Sequence, residues 1–281
     1  MIIFRYLASH ALESLRDVML KVARVSSFND PFECMYRATG TMTRAKAKAY
    51  LRSRERSRDF FQDLMQRHPH LKSIEAARRY LKANLERFAD VLVANYDQIK
   101  DTPMQERERI MDSTMRVVCF SSSEASQFDE ILLWSHYAGM HKGVRIGFEF
   151  PSGVTNPFKI SAITYQNERV GVDLSVDAGQ ESVKDALLIS TKTKSTAWTY
   201  EKEFRLVTIP LYCVSSKRAN REIVEFFPIE REWVRRVDFG VRFNRHLREP
   251  ILNIVKKDYP HAECFQADYH KTDYALTYAR L

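Results

Sequence analysis

Apolar residues recur along the chain in two rhythms. Residues 2–7 alternate as a short strand with Arg5 and Tyr6 embedded in it. Ser9 is placed to cap a helix, and Leu12, Leu15 and Met19 follow at helical spacing, which predicts about three turns. Residues 22–25 return to a strand pattern. They end at Ser27-Phe28-Asn29-Asp30-Pro31-Phe32-Glu33, where Asx side chains and a fixed proline φ specify a rigid turn. From 36 to about 115 the period is helical. Phe60, Phe61, Leu64, Tyr80, Leu81, Leu85, Phe88, Val91 and Leu92 predict about three helices, with Pro69 ending one and Pro103 opening another.

The second half returns to strands. Residues 116–121 form an apolar run followed by Ser121, Ser122, Ser123 and Ser126. Residues 128–138 read as a helix that Gly139 ends, and 144–150 as a strand. Further strands are expected at 159–165, 222–227, 233–239, 262–267 and 274–279, with helices near 181–189 and 244–257. Residues 190–196 read as a polar loop. Strands and helices do not alternate simply, which argues against a doubly wound parallel sheet. The expectation is α+β: a mixed, largely antiparallel sheet in one domain over residues 1–281, with a helical block at 36–115 inserted after the second strand.

Composition supports a real core, with 44% hydrophobic and 12% aromatic residues. No apolar run reaches about 18 residues, so no membrane span is expected, and residues 1–6 lead into no apolar stretch of the kind a signal peptide needs. Cys34, Cys119, Cys213 and Cys264 are scattered without a C-x-x-C pair, as expected of reduced thiols in a cytoplasmic chain without a zinc site. The formal net charge of +8 admits an acidic partner, nucleic acid among them. Much of it lies at Arg44, Lys46, Lys48, Arg52, Arg54, Arg56 and Arg58, a solvated helix face or a phosphate-facing arm.

The candidate chemistry centres on residues 198–207. An apolar run (Phe204, Leu206, Val207) opens with Glu201 and Glu203, which share a face if the segment is a strand. Buried carboxylates are costly unless paired. Either Arg5 or Arg205 pairs with them inside the sheet, or they edge a catalytic site. Glu203 is the stronger catalytic candidate and Glu201 the better ion-pair partner. His136 is a further catalytic candidate. His136 and His141 stand five apart and share no helical face, so a metal pair is not expected. Asp30 is explained by its turn. There is no G-x-S-x-G, Walker loop or G-x-G-x-x-G.

Three blocks carry a resemblance: the 27–33 turn, Leu133-Trp134-Ser135-His136-Tyr137-Ala138 with His141-Lys142-Gly143, and Trp198-Thr199-Tyr200-Glu201-Lys202-Glu203-Phe204-Arg205. With Arg5-Tyr6 and Cys119-Phe120-Ser121 they resemble a large bacterial family of unknown function, family 2971. More distantly, the block order resembles the ADP-ribosyltransferase fold. That resemblance implies NAD as substrate and a Glu-x-Glu element at Glu201 and Glu203, with Glu203 catalytic. Arg5 and Tyr6 on the first strand, Ser121 and Ser122 after the middle strand, and Tyr137 would then bind NAD. Ser-Thr-Ser is absent, Tyr137 falls on a helix, and Arg205 lies inside the late strand, all departures from that pattern. The expected function is NAD-dependent ADP-ribosyl transfer to a macromolecule, nucleic acid by charge, in a bacterial toxin or phage-defence setting. The alternatives are a non-catalytic nucleic-acid-binding module and a metal-dependent nuclease using His136, Asp30 and Glu203.

Overall fold

The structure is a computed structural model describing residues 1–8, 11–151, 160–173, 175, 187–217 and 223–281. Strand β1 (Ile3–Leu7) is followed by helix α1 (Ala11–Asp17) and β2 (Met19–Lys21). Next come β3 (Arg37–Thr39), α2 (Arg44–Ser53), α3 (Arg58–Arg67), α4 (Ile74–Ala83), α5 (Leu85–Lys100) and α6 (Met104–Thr114). Then follow β4 (Arg116–Ser122), α7 (Gln127–Tyr137) and β5 (Val144–Phe148). Short strands β6 (Ile160–Ala162), β7 (Thr164–Tyr165), β8 (Gly171–Asp173) and β9 (Thr193–Lys194) lead to a 3-10 helix, Thr196–Glu201, and to β10 (Glu203–Thr208). The order ends with β11 (Val214–Lys217), β12 (Ile223–Pro228), β13 (Val234–Phe239), α8 (Arg248–Asp258), β14 (Glu263–Tyr269) and β15 (Leu276–Arg280).

The chain divides into two compact units: Met1–Cys34, Glu108–Glu168 and Thr191–Leu281 form the first, and Met35–Arg107 with Arg169–Ser190 the second. The first holds an eight-stranded sheet in the order β15-β14-β13-β5-β1-β4-β10-β6. Every pairing in it is antiparallel except β13–β14, joined by the crossover helix α8. The class is the α+β expected. Side chains alternate across the sheet. One face is apolar: Ile3, Val118, Phe120, Ile146, Phe148, Leu206 and Val237 pack with Leu15, Leu20, Phe227, Ile251, Val255 and Tyr259. The opposite face carries Arg145 in register with Asp238, and Ser121 in register with both Phe4 and Glu203.

The second unit packs α2–α5 around Ala47, Leu51, Phe61, Leu64, Ala77, Leu81, Ala89 and Tyr96. Thr43, Ser57 and Ser73 cap α2, α3 and α4, each accepting from a backbone N–H three residues on. β3 and β8 pair in parallel.

Several boundaries differ from the sequence expectation. α1 has two turns, because Val18 takes a left-handed backbone (φ 55°) that ends it, and Met19 opens a strand. Residues 25–27 are 3-10, and of the expected strand at 22–25 only Ala23 makes a bridge, to Val117. The 36–115 segment holds five helices rather than three. The serine caps at 57 and 73 divide what the apolar period alone runs together, while Pro69 and Pro103 stand at helix ends as expected. Ser9, Lys159, residues 181–186 and Glu222 lie outside the described residues.

Candidate functional site

β1 pairs with β5 over all five of its residues but with β4 only at Ile3↔Ser122 and Phe4↔Ser121. Beyond Phe4 the two strands part. β4 continues in register with β10, and Ala23 takes its other edge at Val117 through two backbone hydrogen bonds. A cavity of about 380 Å³ opens at the parting. Seven of the eight candidate residues line it: Arg5, Tyr6, Ser121, His136, Tyr137, Glu201 and Glu203. Ser122 does not. Its register with Ile3 puts it on the apolar side, where its hydroxyl accepts from the Glu124 N–H.

The two acids reach the cavity by a route the strand pattern did not contain. Glu201 ends the 3-10 helix, Lys202 adopts a left-handed backbone (φ 43°), and Glu203 opens β10. They therefore do not share a strand face. They converge instead on Lys194 of β9. Its ammonium lies 2.5 Å from Glu201 Oε2, 2.9 Å from Glu203 Oε2 and 3.4 Å from Glu33 Oε1. Arg205 grips Glu203 from the other side, with Nε 2.6 Å from Oε1, and also pairs with Glu33. Side chains of all five residues are at most 5% exposed.

Burial pushes the Glu203 carboxyl up to about 7, against the pull of Lys194. The Glu201 carboxylate beside it pushes in the same direction as burial. Burial opposes the charge on Lys194, yet the two glutamates outweigh it and raise that ammonium above the lysine range. Burial lowers Arg205 to about 9, still a cation at neutral pH.

Tyr137, the last residue of α7, donates its hydroxyl to Glu201 Oε1 and lies 3.4 Å from the Asn29 amide. Burial, with Glu201 beside it, holds that phenol protonated. His136 Nδ1 lies 3.0 Å from the Tyr200 hydroxyl. α7 is aimed by its own chemistry. Ser126 and Asp129 form a capping box at its start. Arg145 ties Glu130 to Asp238, and Trp134 Nε1 donates to the Tyr278 hydroxyl at 3.0 Å. After it, Gly139, Met140 and His141 are all left-handed, and His141 Nε2 returns to Ser135 Oγ at 3.0 Å.

Arg5 forms a different wall. One guanidinium nitrogen donates to the Lys21 carbonyl. Another, Nη1, is buried without a hydrogen-bond partner among the described residues. Burial lowers the group to about 10, so it is a cation in search of an acceptor. Arg5 also lines a second cavity of about 340 Å³ with Lys21, Arg24 and Glu225. Tyr6 accepts from Arg145 and meets Trp134 edge-on.

The blocks at 133–143 and 198–205 thus supply Tyr137, Glu201 and Glu203 to one cavity. A family model described as "Protein of unknown function (DUF2971)" matches residues 133–206. This stretch is similar to that family. It runs from α7 to β10 and includes Lys194, while Arg5, Glu33 and Ser121 lie before it. No curated protein and no solved structure gave a match.

Lys194 was missed by sequence reading. Thr191-Lys192-Thr193-Lys194 alternates like a strand, but its polarity made it a loop. Asp30, an alternative metal carboxylate, accepts from the Phe32 N–H and from Trp198 Nε1. Among the described residues no group of three His, Cys, Asp or Glu side chains could hold a metal ion. No helix there is long and apolar enough to cross a membrane.

In the second unit the basic run splits. Arg44 pairs with Asp90 and Lys48 with Glu86. Arg52, Arg54, Arg56 and Arg58 gather at the α2–α3 corner without an ion pair among the described residues; Arg54 lies over the Tyr50 ring.

Proposed function

We propose that the chain binds NAD in the cavity between β1 and β4 and transfers its ADP-ribose to a macromolecule. The observation that carries this reading is that Arg5, Ser121, Tyr137 and Glu203 line one cavity. The sheet parting and the Glu201–Glu203 wall also favour an ADP-ribosyltransferase-like reading of the fold. Each residue type has a task. Arg5 Nη1 offers an unused donor to a pyrophosphate oxygen. The Tyr6 and Tyr137 rings offer faces for nicotinamide, and the Ser121 hydroxyl a partner for ribose.

In the reaction, the bond between ribose C1′ and the nicotinamide nitrogen breaks. Its electron pair leaves with nicotinamide, and a nucleophile on the acceptor bonds to C1′ and gives up its proton. Positive charge develops on the ribose ring meanwhile. With its three carboxylates ionised, the cluster of Glu33, Glu201, Glu203, Lys194 and Arg205 carries one surplus negative charge, suited to stabilise that cation. The ion pairs leave lone pairs on Glu203, so it can still accept from a ribose hydroxyl.

The test is nicotinamide release from NAD by wild type and by Glu203→Gln, which keeps the shape and removes the charge. A folded variant at least about 100-fold slower supports the reading; a variant as active as wild type overturns it. A bacterial toxin or phage-defence role belongs to this proposal.

A second reading rests on the α2–α3 corner: four arginines without an ion pair among the described residues suit a nucleic-acid backbone. Arg58 opens α3, where a cation opposes the helix dipole, so helix stability does not account for it.

A further inference from the structure

We propose that Lys194 is the positioning residue of the cavity: its ammonium holds Glu33, Glu201 and Glu203 together and leaves them, with Arg205, one surplus negative charge. As far as it concerns catalysis, this rests on the NAD reading; the charge count and the geometry do not.

The geometry is that of a hub. A lysine ammonium has three protons, and here three carboxylate oxygens lie within 3.4 Å of it. They come from three separate stretches: the 29–33 turn, the end of the 3-10 helix, and the start of β10. The ammonium lies over the Trp198 ring, 5.1 Å from its centroid. Trp198 is itself anchored to Asp30 at 2.9 Å. Arg205 cannot replace this hub, since its nitrogens are engaged with Glu203, Glu33, the Thr191 carbonyl and Cys34 Sγ.

Glu203 is faced from every side by groups that bear on its charge. Lys194 approaches from β9 and Glu201 from the 3-10 helix. Arg205 lies on its own strand, Cys119 on β4, and Glu33 in the turn. The Tyr165 hydroxyl of β7 accepts from its backbone N–H. Only Lys194 and Arg205 among these are cations. Replacing Lys194 with a neutral residue leaves three carboxylates facing one cation, a surplus of two. Replacing Glu201 with glutamine as well leaves two carboxylates and one cation, the original surplus of one.

That count yields a test that needs no NAD. Four full-length proteins are compared at pH 8: wild type, Lys194→Met, Glu201→Gln and the double variant. Thermal unfolding is expected to show rescue: the double variant melts at least several degrees above Lys194→Met, or folds where Lys194→Met does not. A double variant that melts no higher than the single one, or fails to fold with it, overturns the proposal.

The second readout is one that a merely structural lysine would not move. Carbon-13 NMR of the glutamate carboxyls follows the Glu203 titration. Lys194→Met is expected to raise its midpoint by a pH unit or more, Lys194→Arg to leave it near wild type, and the double variant to return it. An unmoved midpoint in a folded neutral variant overturns the proposal. If wild type releases no nicotinamide while both expectations hold, the NAD reading fails and the charge-setting role of Lys194 stands.

Discussion

The Tyr137 hydroxyl donates to Glu201 Oε1, joining the last residue of α7 to the last residue of the 3-10 helix before β10. This bond closes the segment that matches the family model on itself near its two ends. Removing the hydroxyl leaves a buried carboxylate oxygen without its donor. Tyr137→Phe is expected to cost about 1–3 kcal/mol in urea denaturation at pH 8. A loss under about 0.5 kcal/mol would mean that water replaces the phenol, leaving the two elements held by other contacts.

Arg5→Met separates stability from binding. The native guanidinium is desolvated, and one of its nitrogens has no hydrogen-bond partner among the described residues. A well-packed apolar side chain there is expected to leave the melting temperature unchanged or higher. NAD binding, measured by calorimetry, is expected to weaken about ten- to 100-fold, the worth of a charge-assisted hydrogen bond. Unchanged affinity would remove Arg5 from the proposed site.

Two buried glutamates give opposite pH signatures. Burial pushes Glu225 up, but hydrogen bonds from Arg116 and Arg24 outweigh it and hold the carboxyl below the usual range. Its stabilisation is present above the ordinary glutamate value and is lost as pH falls through the folded value. Glu203, raised to about 7, favours the protonated form. Its contribution is present in acid and is lost as pH rises from the ordinary glutamate value towards 7. Urea midpoints between pH 3.5 and 7 are expected to show the advantage of wild type over Glu225→Gln shrinking towards acid. The advantage over Glu203→Gln is expected to shrink towards neutrality.

For the arginine corner the observable is salt dependence. Replacing Arg52, Arg54, Arg56 and Arg58 with glutamine is expected to reduce the slope of log affinity for single-stranded nucleic acid against log salt by about 0.7 per lost phosphate contact. The melting temperature is expected to hold, since none of the four is in an ion pair among the described residues. A wild-type chain with no affinity at low salt would end that reading.

The sheet was legible wherever apolar side chains alternate or run together. β4, β5, β13, β14 and β15 fall within a few residues of their expected places, and in β4, β5 and β13 a buried face gives the reason. The helical stretch was legible in kind but not in number, since a repeated apolar period does not register a break made by a serine cap. The candidate cluster was legible as residue types. What escaped was its wiring. Lys194 sits in a polar run whose charge is satisfied only by residues distant in the chain, and nothing local marks a lysine as buried. Glu201 and Glu203 reach one cation through a left-handed Lys202, a backbone choice that no side-chain pattern announces.

The parting of β1 from β4 bears on how the protein acquires its site. The cavity walls come from Arg5, Ser121, Tyr137, Lys194 and Glu203, and the gap from Arg5 to Ser121 alone exceeds a hundred residues. Closing such long loops costs chain entropy before any contact forms, so pairings of this kind arise late in folding. The cavity is thus a property of the finished fold alone. A nascent or partly unfolded chain would hold the same residues and none of the site, so any activity there would begin only once folding is complete.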